Sequence, residues 1–481
     1  MKLIKDTIHG YIKIPDGYCR HLIDTEVFQR LRRIEQTSIR SLFPCAHHDR
    51  FVHSLGTYHL GSKAIDETLR NSNDIIAEII KGNNSGKDSP EILKKTFEIA
   101  CLLHDCGHAP FSHTFEDNFD IANNLRDLLV NNSDDKDLSE DICLLQSKPH
   151  EKVSAYLVLT YFKDRITAVD KDIDINLIAR MIIGCKYKNN NSPLNQLKNC
   201  LIKLLNGDII DVDKLDYAAR DRWASGYNAS SVDMDRLLSS FQICKKGKKI
   251  VLCIKKNAVS EIDGLIDSAN FQSFWIFNHH KVIYEQHLLE KAVNLLQGNI
   301  NPNDPESVFK KMFNVDVLTK RQDINGHIVF QLTDDDIIYL LKQYYESNPY
   351  FQEWISRDYK LKPLWKSYAE YYKIFSESNK ENSPERLEEK VKRVTKRVLE
   401  KNGYQEDSFY VGIVKEKLKQ VDKNQLFIKI DDGTEDSTID YYALGINKRA
   451  EVVKPYFYVY IKKDCNHLKE CIVEAIKNEL S

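Results

Sequence analysis

"LLHDCGHAPFSH", Leu102–His113, sets three histidines and an aspartate at the end of an apolar stretch. From Phe97 to His104 apolar residues recur at helical spacing, and Gly107 with Pro110 then ends the pattern. Neighbours on a helix point about 100° apart, so His104 and Asp105 reach one ion together only near a helix end. The break at Gly107 supplies such an end. The stretch is therefore either a crowded inert polar patch or a set of ligands and proton carriers around a charged group. Cys106, inside it, reads as a small packing residue.

Working outward, most of the chain repeats apolar residues at helical spacing. "DTEVFQRLRRI" (Asp24–Ile34) opens on an N-cap type residue and puts Val27, Leu31 and Ile34 on one face, predicting a helix. Polar stretches at Asn83–Ser89, Asn131–Glu140 and Lys188–Pro193 read as loops between helices. Late in the chain the character changes. Ser383 and Pro384 suit the N-cap and first turn of a helix striped by Leu387, Val391, Val394 and Val398 and stopped by Gly403. Then "SFYVGIVK", "QLFIKIDDGT" and "PYFYVYIKK" are rich in β-branched and aromatic residues, with a turn at Asp432-Gly433, and a last helix starts near Asn466. The expected fold is mainly α: a helical core over 1–375 and a smaller C-terminal α+β lobe over 376–481, regulatory or used for oligomerisation.

The totals restrict the function. At 481 residues the chain exceeds one ordinary core. Its 69 basic and 71 acidic residues leave a net charge of −2, which exerts no global pull toward nucleic acid or membrane. No apolar run has the length of a membrane span, and "MKLIKDTIHG" lacks a signal-peptide core, so a cytoplasmic setting is expected. Eleven cysteines without a Cys-x-x-Cys pair argue against a zinc knuckle or a secreted disulfide framework.

Two further stretches carry titratable residues: "HHDRFVHSLGT" (His47–Thr57) and "DIIDVDKLDYAARD" (Asp208–Asp221). In the second, Lys214, Tyr217 and Asp221 fall at i, i+3 and i+7 and share a helical face. A cation, a phenol and a carboxylate together suit a phosphorylated, hydroxyl-bearing ligand better than a core. Isolated histidines are more often satisfied interior groups, so composition alone leaves the matter open.

The order of the motifs goes further. Arg50-Phe51-Val52-His53-Ser54-Leu55-Gly56, then His104-Asp105, then Asp211 to Asp221, with "DTIHGYIKIPD" and "DTEVFQRLRRIEQ" before them, resemble an HD-domain phosphohydrolase of the deoxynucleoside triphosphate triphosphohydrolase family. The resemblance covers about Lys2 to Leu289. It implies that His53, His104, Asp105 and Asp213 hold one divalent metal ion, of a set suiting Mg, Mn, Fe, Ni or Zn. It implies cleavage of a dNTP to deoxynucleoside and inorganic triphosphate, in dNTP pool control or anti-phage defence. His108, His113 and His150 match positions for phosphate contact and proton handling, and Glu116 a carboxylate that pairs with a histidine. Arg50 and Lys214 match phosphate contacts, Tyr217 and Asp221 the deoxyribose, and Gln36 the sugar and base. Asp24, Gln29 and Arg32 match a nucleotide effector site, which implies a homo-oligomer as the active form. Two positions depart from the pattern. Lys5 stands where the effector site has an asparagine, and Phe277 where a relative has an arginine on the terminal phosphates, with His280 and Lys281 nearby to substitute from the next turn. The competing readings are an HD phosphohydrolase acting on another nucleotide (monophosphate, signalling nucleotide or nucleic-acid end) and a nucleotide-sensing scaffold using the basic helix near Lys390–Lys401.

Overall fold

The computed structural model describes residues 1–81, 86–142, 147–189, 191–228, 232–415, 421–430, 438–445 and 455–481. The fold is mainly α with small sheets. The expected turn at Asp432-Gly433 lies outside the described residues, as do parts of the predicted loops Asn83–Ser89 and Lys188–Pro193. Among the described residues, no helix is long and apolar enough to cross a membrane.

Contacts group the chain into two units. The first comprises Met1–Ser268, Ile300–Tyr339 and Gln420–Asn447. Its centre is built from four helices: α1 (Arg50–Asn71), α2 (Pro90–Leu103), α3 (Pro149–Leu159) and α4 (Val212–Ser225). Each start follows from its sequence. Asp49 caps α1 by accepting from the Val52 N–H at 3.0 Å, Ser89 and Pro90 open α2, Pro149 opens α3, and Asp211 caps α4 through the Lys214 N–H at 2.7 Å. Gly226, in the left-handed region at φ 68°, stops α4. Helix α1 packs on α2 and α4. On α2, Phe97, Ile99, Leu102 and Leu103 are fully buried, each contributing about 1.5–3 kcal/mol. His104 is the C-cap, so the metal-type motif does stand at a helix end.

The Asp24–Ile34 segment differs from the single helix predicted. The cap is Thr25, whose hydroxyl accepts from the Phe28 N–H. Only Glu26–Gln29 is α-helical, and Arg30–Arg33 tightens to a 3₁₀ turn. Ile34 turns extended because its carbonyl accepts from the Arg50 N–H at 3.0 Å, tying the segment to the start of α1. Val27, Leu31 and Ile34 are nonetheless all buried.

The second unit comprises Ala269–Asn299, Leu340–Lys419 and Lys448–Ser481. Its sheet sets strand Tyr456–Lys462 between Leu361–Pro363 and Phe409–Val414, both antiparallel to it, with Val459 opposite Val411. Helix Pro384–Lys401 starts as predicted, with Ser383 accepting from the Arg386 N–H, and buries Leu387, Val391 and Val394. It packs on the last helix, Lys469–Leu480, which follows a 3₁₀ turn over Lys463–Leu468. The basic side of Pro384–Lys401 is compensated: Lys392 pairs with Glu388, Lys396 with Glu406 and Arg393 with Glu479.

The third late strand does not join this sheet. Phe427–Lys429 pairs in parallel with Lys249–Lys255 of the first unit, Ile254 opposite Ile428. The expected division at 375/376 therefore coincides with no unit limit: 340–419 stay together because Leu361–Pro363 needs Tyr456–Lys462 as its partner, while Phe427–Lys429 completes a sheet begun near residue 241.

Candidate metal and phosphate site

All predicted metal ligands lie in the first unit and meet there. His53 comes from the first turn of α1, His104 and Asp105 from the end of α2, and Asp213 from the first turn of α4. His53 Nε2 lies 3.0 Å from Asp213 Oδ1 and 3.3 Å from His104 Nε2, and His104 Nε2 lies 3.5 Å from Asp213 Oδ1. Asp105 reaches the two imidazoles with different oxygens, Oδ2 to His53 at 3.5 Å and Oδ1 to His104 at 3.4 Å. Ligand bonds of about 2.1 Å give ligand–ligand edges of roughly 3.0–3.4 Å, so His53, His104 and Asp213, with one ligand atom each within 4.8 Å of the others, fit a divalent ion, and Asp105 borders the two imidazoles. Two imidazoles and two carboxylates suit Mg, Mn, Fe, Ni or Zn.

The rings are oriented from behind. His53 Nδ1 bonds Asp216 Oδ2 at 2.8 Å, and His104 Nδ1 the Cys101 carbonyl at 2.9 Å. Both contacts fix the far nitrogen and leave Nε2 toward the centre. Asp216, which sequence reasoning missed, is the hub of this layer. It also accepts from Arg220 Nε at 2.8 Å and Nη2 at 3.0 Å and bonds His9 Nε2 at 2.6 Å, while Arg220 reaches Asp6 at 3.0 Å. Its signal was present in "DVDKLDYAARD", three residues after Asp213 and four before Arg220. The opening hairpin, Lys2–Asp6 with Gly10–Ile14, thus serves the site through Asp6 and His9. At Gly56 a Cβ would stand 1.9 Å from Asp216 Oδ1, so only glycine lets α1 approach α4 here.

Charge follows this geometry. Burial would depress the His53 imidazole, but hydrogen bonds with Asp213 and Asp216 outweigh it and lift its pKa to about 10. Burial likewise opposes ionisation of Asp105, yet His104 and Arg50 hold it below the usual carboxylate range.

The loop after α2 carries the second group. Gly107 lets the loop touch α3: a Cβ there would lie 2.3 Å from the Ser154 nitrogen. Phe111 and Ser112 both take left-handed φ, 53° and 54°, uncommon for non-glycine residues and held by outside bonds. Asp334 Oδ1 accepts from the Phe111 N–H at 2.7 Å, and Arg50 Nε donates to Ser112 Oγ at 3.0 Å. The buried Arg30 donates to the Cys106, His108 and Leu332 carbonyls. Sequence reasoning singled out none of Arg30, Ser112 and Asp334 as site residues. Cys106 is fully buried, as a packing residue should be.

On this loop and α3 stand His108, His113 and His150. Glu116 bonds Nδ1 of His113 at 2.9 Å and Nδ1 of His150, and His108 Nε2 lies 3.6 Å from Asp105 Oδ1. Burial opposes ionisation of Glu116, but its two histidines hold it well below the usual range. Burial pushes His150 down to about 4 and His108 well below the ordinary imidazole value, so both stay neutral. The sign is that of a depressed base. His150 contributes stability present above about pH 6.5 and lost as pH falls through about 4. With metal chelated, wild type should lose roughly 3 kcal/mol relative to His150→Gln over that window, at about 1.4 kcal/mol per pH unit. Denaturant titrations at pH 7, 5.5 and 4 check this, and parallel profiles would refute it.

The remaining predicted residues are placed as follows. Arg50 is buried, bonding Asp105 Oδ2 at 2.8 Å and the Gln36 carbonyl at 3.1 Å. Gln36 is buried, and its Oε1 lacks a partner among the described residues. Lys214 bonds Asp211 and the Gly207 carbonyl, and Asp221 bonds His48 Nε2 at 2.7 Å. Tyr217 lies on α4 between Lys214 and Asp221. Asp24 pairs with Lys2 at 2.8 Å, and Arg32 bonds Gln29 Oε1 at 2.8 Å while covering the Phe51 ring. Lys281 is exposed and belongs to the second unit.

Comparison with known proteins agrees with the geometry. The HD domain family matches residues 50–218. The deoxynucleoside triphosphate triphosphohydrolase SAMHD1 homolog of Dictyostelium discoideum is 33% identical over 256 residues, which is 52% of this chain and 42% of that protein. The chain thus spans less than half the length of that relative. Two solved structures share the fold at 19% identity: a hypothetical protein from Aquifex aeolicus (TM-score 0.59, all of both chains) and a phosphohydrolase from Bacteroides thetaiotaomicron (TM-score 0.62, 96% of this chain and all of that one). His53, His104, Asp105 and Asp213 all fall within residues 50–218, the segment that matches the HD domain family.

Proposed function

We propose that this protein is a metal-dependent triphosphohydrolase that converts deoxynucleoside triphosphates to deoxynucleoside and inorganic triphosphate. The observation that carries the reading is a metal-type quartet beside a carboxylate-bridged pair of histidines, linked by the 3.6 Å approach of His108 to Asp105. The activity in the name of the Dictyostelium relative supports it.

His53, His104, Asp105 and Asp213 would hold the ion, which when bound neutralises phosphate charge and acidifies a water. The chain's own residues do the rest. His113 is half-exposed, with Nδ1 fixed on Glu116, so its Nε2 is the group able to reach a substrate. Its Nε2 gives a proton to the sugar O5′ as the bond from phosphorus to O5′ breaks, while a water oxygen bonds phosphorus and releases a proton to solvent. His108 and His150, neutral and buried, contact phosphate from below. Arg50 stays on Asp105 and orients it, and Lys214 meets phosphate oxygens. Gln36 Oε1 accepts from the sugar or base. Tyr217 packs against the deoxyribose, where a 2′-hydroxyl would be buried without a partner, and Asp221 accepts from the 3′-hydroxyl. A nucleotide effector at Asp24, Gln29 and Arg32 that favours a homo-oligomer belongs to the same proposal, through its differential affinity for the assembled state.

The runner-up is an HD phosphohydrolase acting on another nucleotide, and Phe277, in place of a phosphate-binding arginine, favours it. A panel of dNTPs and NTPs with Mg, Mn, Fe or Co, products resolved by chromatography, separates the two. Inorganic triphosphate with deoxynucleoside supports the proposal. Orthophosphate or a linearised dinucleotide replaces it with the runner-up. His113→Ala should lower kcat about 10²-fold at unchanged metal content, the scale of general acid–base catalysis, and an unaltered kcat would remove His113 from the mechanism.

A further inference from the structure

Phe111 and Ser112 keep a left-handed backbone that residues with side chains rarely adopt, and they stand between His108 and His113. The bonds that keep them there lead to Asp334. Its Oδ1 accepts from the Phe111 N–H at 2.7 Å and its Oδ2 from the Glu35 N–H at 2.9 Å, so one carboxylate ties the loop to the arm that carries Gln36. Ser112 joins the same two pieces directly, its hydroxyl donating to the Glu35 carbonyl. The mount is stiff. Arg30 donates to the Leu332 carbonyl at 2.8 Å, just before Asp334, and also holds the carbonyls of Cys106 and His108. Asp336 accepts from the Thr333 N–H at 2.7 Å. Asp334 itself is 6% exposed and, among the described residues, forms no ion pair. Burial pushes its carboxyl up to about 7 against the pull of the two N–H bonds, so the carboxylate form prevails above neutral pH. A buried acid without a counter-charge is costly, and an ordinary cap needs only one acceptor. Two N–H groups from separate segments need two oxygens, which a carboxylate supplies.

We infer that Asp334 is a positioning residue for His113: it fixes the strained loop so that the proton-donating ring meets the substrate. It acts through the backbone and needs no contact with substrate. The part given to His113 rests on the hydrolysis proposal, while the hold of Asp334 on the loop does not. Released from Asp334, Phe111 would relax out of the left-handed region, and the ring of His113 would shift with it. A displacement of about 1 Å in reacting geometry costs about 10²-fold in rate. Glu116 fixes Nδ1 of the ring but opens the next helix, Glu116–Ala122, so it sets the tilt of the imidazole and leaves the path of the loop to Asp334.

Asp334→Asn tests this, since it keeps the shape, offers one acceptor and sets an amide donor against the second N–H. Asp334→Ser, smaller and uncharged, serves if the asparagine variant fails to fold. Hydrogen exchange by mass spectrometry on the full chain at pH 8, without nucleotide, reads the loop, and dNTP turnover at the same pH reads the proton donor. Either variant should speed amide exchange over 111–114 about tenfold or more, while Pro90–Leu103 exchanges as in wild type. Its kcat should fall about 10–100-fold, with KM and metal content within about twofold of wild type. Asp335→Asn, at the exposed neighbour that pairs with Arg33, should change neither readout. Unchanged exchange over 111–114, a raised KM with kcat intact, or an equal effect of Asp335→Asn overturns the inference. If wild type cleaves no dNTP, the hydrolysis proposal falls and loop exchange alone decides for Asp334.

Discussion

Asp105→Asn should cost about 10³-fold in turnover and the bound ion with it, while the protein stays folded. The substitution is chosen for what it spares. Asp105 Oδ2 accepts from Arg50 Nη1 at 2.8 Å in a buried setting, and removing the side chain outright would strand a buried guanidinium. An asparagine oxygen preserves that bond but removes the negative charge presented to His53 and His104. Losing several kcal/mol of transition-state charge stabilisation, at one factor of ten per 1.36 kcal/mol, gives the expected scale. Metal per chain after gel filtration, circular dichroism and triphosphate release measure the three parts separately. A variant with full metal and full activity would remove Asp105 from the ligand set.

Asp216→Ala should destabilise the protein by about 3–5 kcal/mol, a larger loss than removal of any surface ion pair. Asp216 is fully buried and meets Arg220, His53 and His9 at once. Truncation leaves the Arg220 guanidinium, itself 2% exposed, with Asp6 as its one remaining carboxylate among the described residues, and breaking a buried pair from one side carries a penalty of that size. Asp216→Asn should behave differently. It keeps a hydrogen-bonding shape, loses less stability, and weakens metal affinity about 10–100-fold because His53 is no longer held by a carboxylate. Urea unfolding of the chelated protein and metal titration of each variant check the pair. Equal stability of Asp216→Ala and wild type would show that Arg220 finds another partner and that the hub is not what holds these elements.

Most of the site's skeleton was legible because its chemistry is written in residue types at helix ends. Asp49, Ser89 and Asp211 cap the helices that carry the ligands, and Gly107 with Pro110 ends the run into His104-Asp105. The layer behind was not legible in the same way. Asp216 among several aspartates, or Arg30 among the arginines of "QRLRR", looks like a solvated charge until packing buries it. The Asp24–Ile34 segment departs from a single α-helix for a tertiary reason: the Ile34 carbonyl is claimed by Arg50, so the repeat of apolar residues persists while the helix does not. The late strands were recognised as strands, but their partners lie far away in the chain, and local composition carries no record of pairing across such distances.

That remote pairing has a consequence for biosynthesis. Strand Phe427–Lys429 completes a sheet whose neighbour, Lys249–Lys255, leaves the ribosome roughly 170 residues earlier. At about 5–20 residues per second of translation, this edge waits on the order of ten to thirty seconds for its partner. A nascent chain halted between those points exposes a strand rim open to wrong neighbours, and a fragment cut at residue 375 would carry that rim permanently.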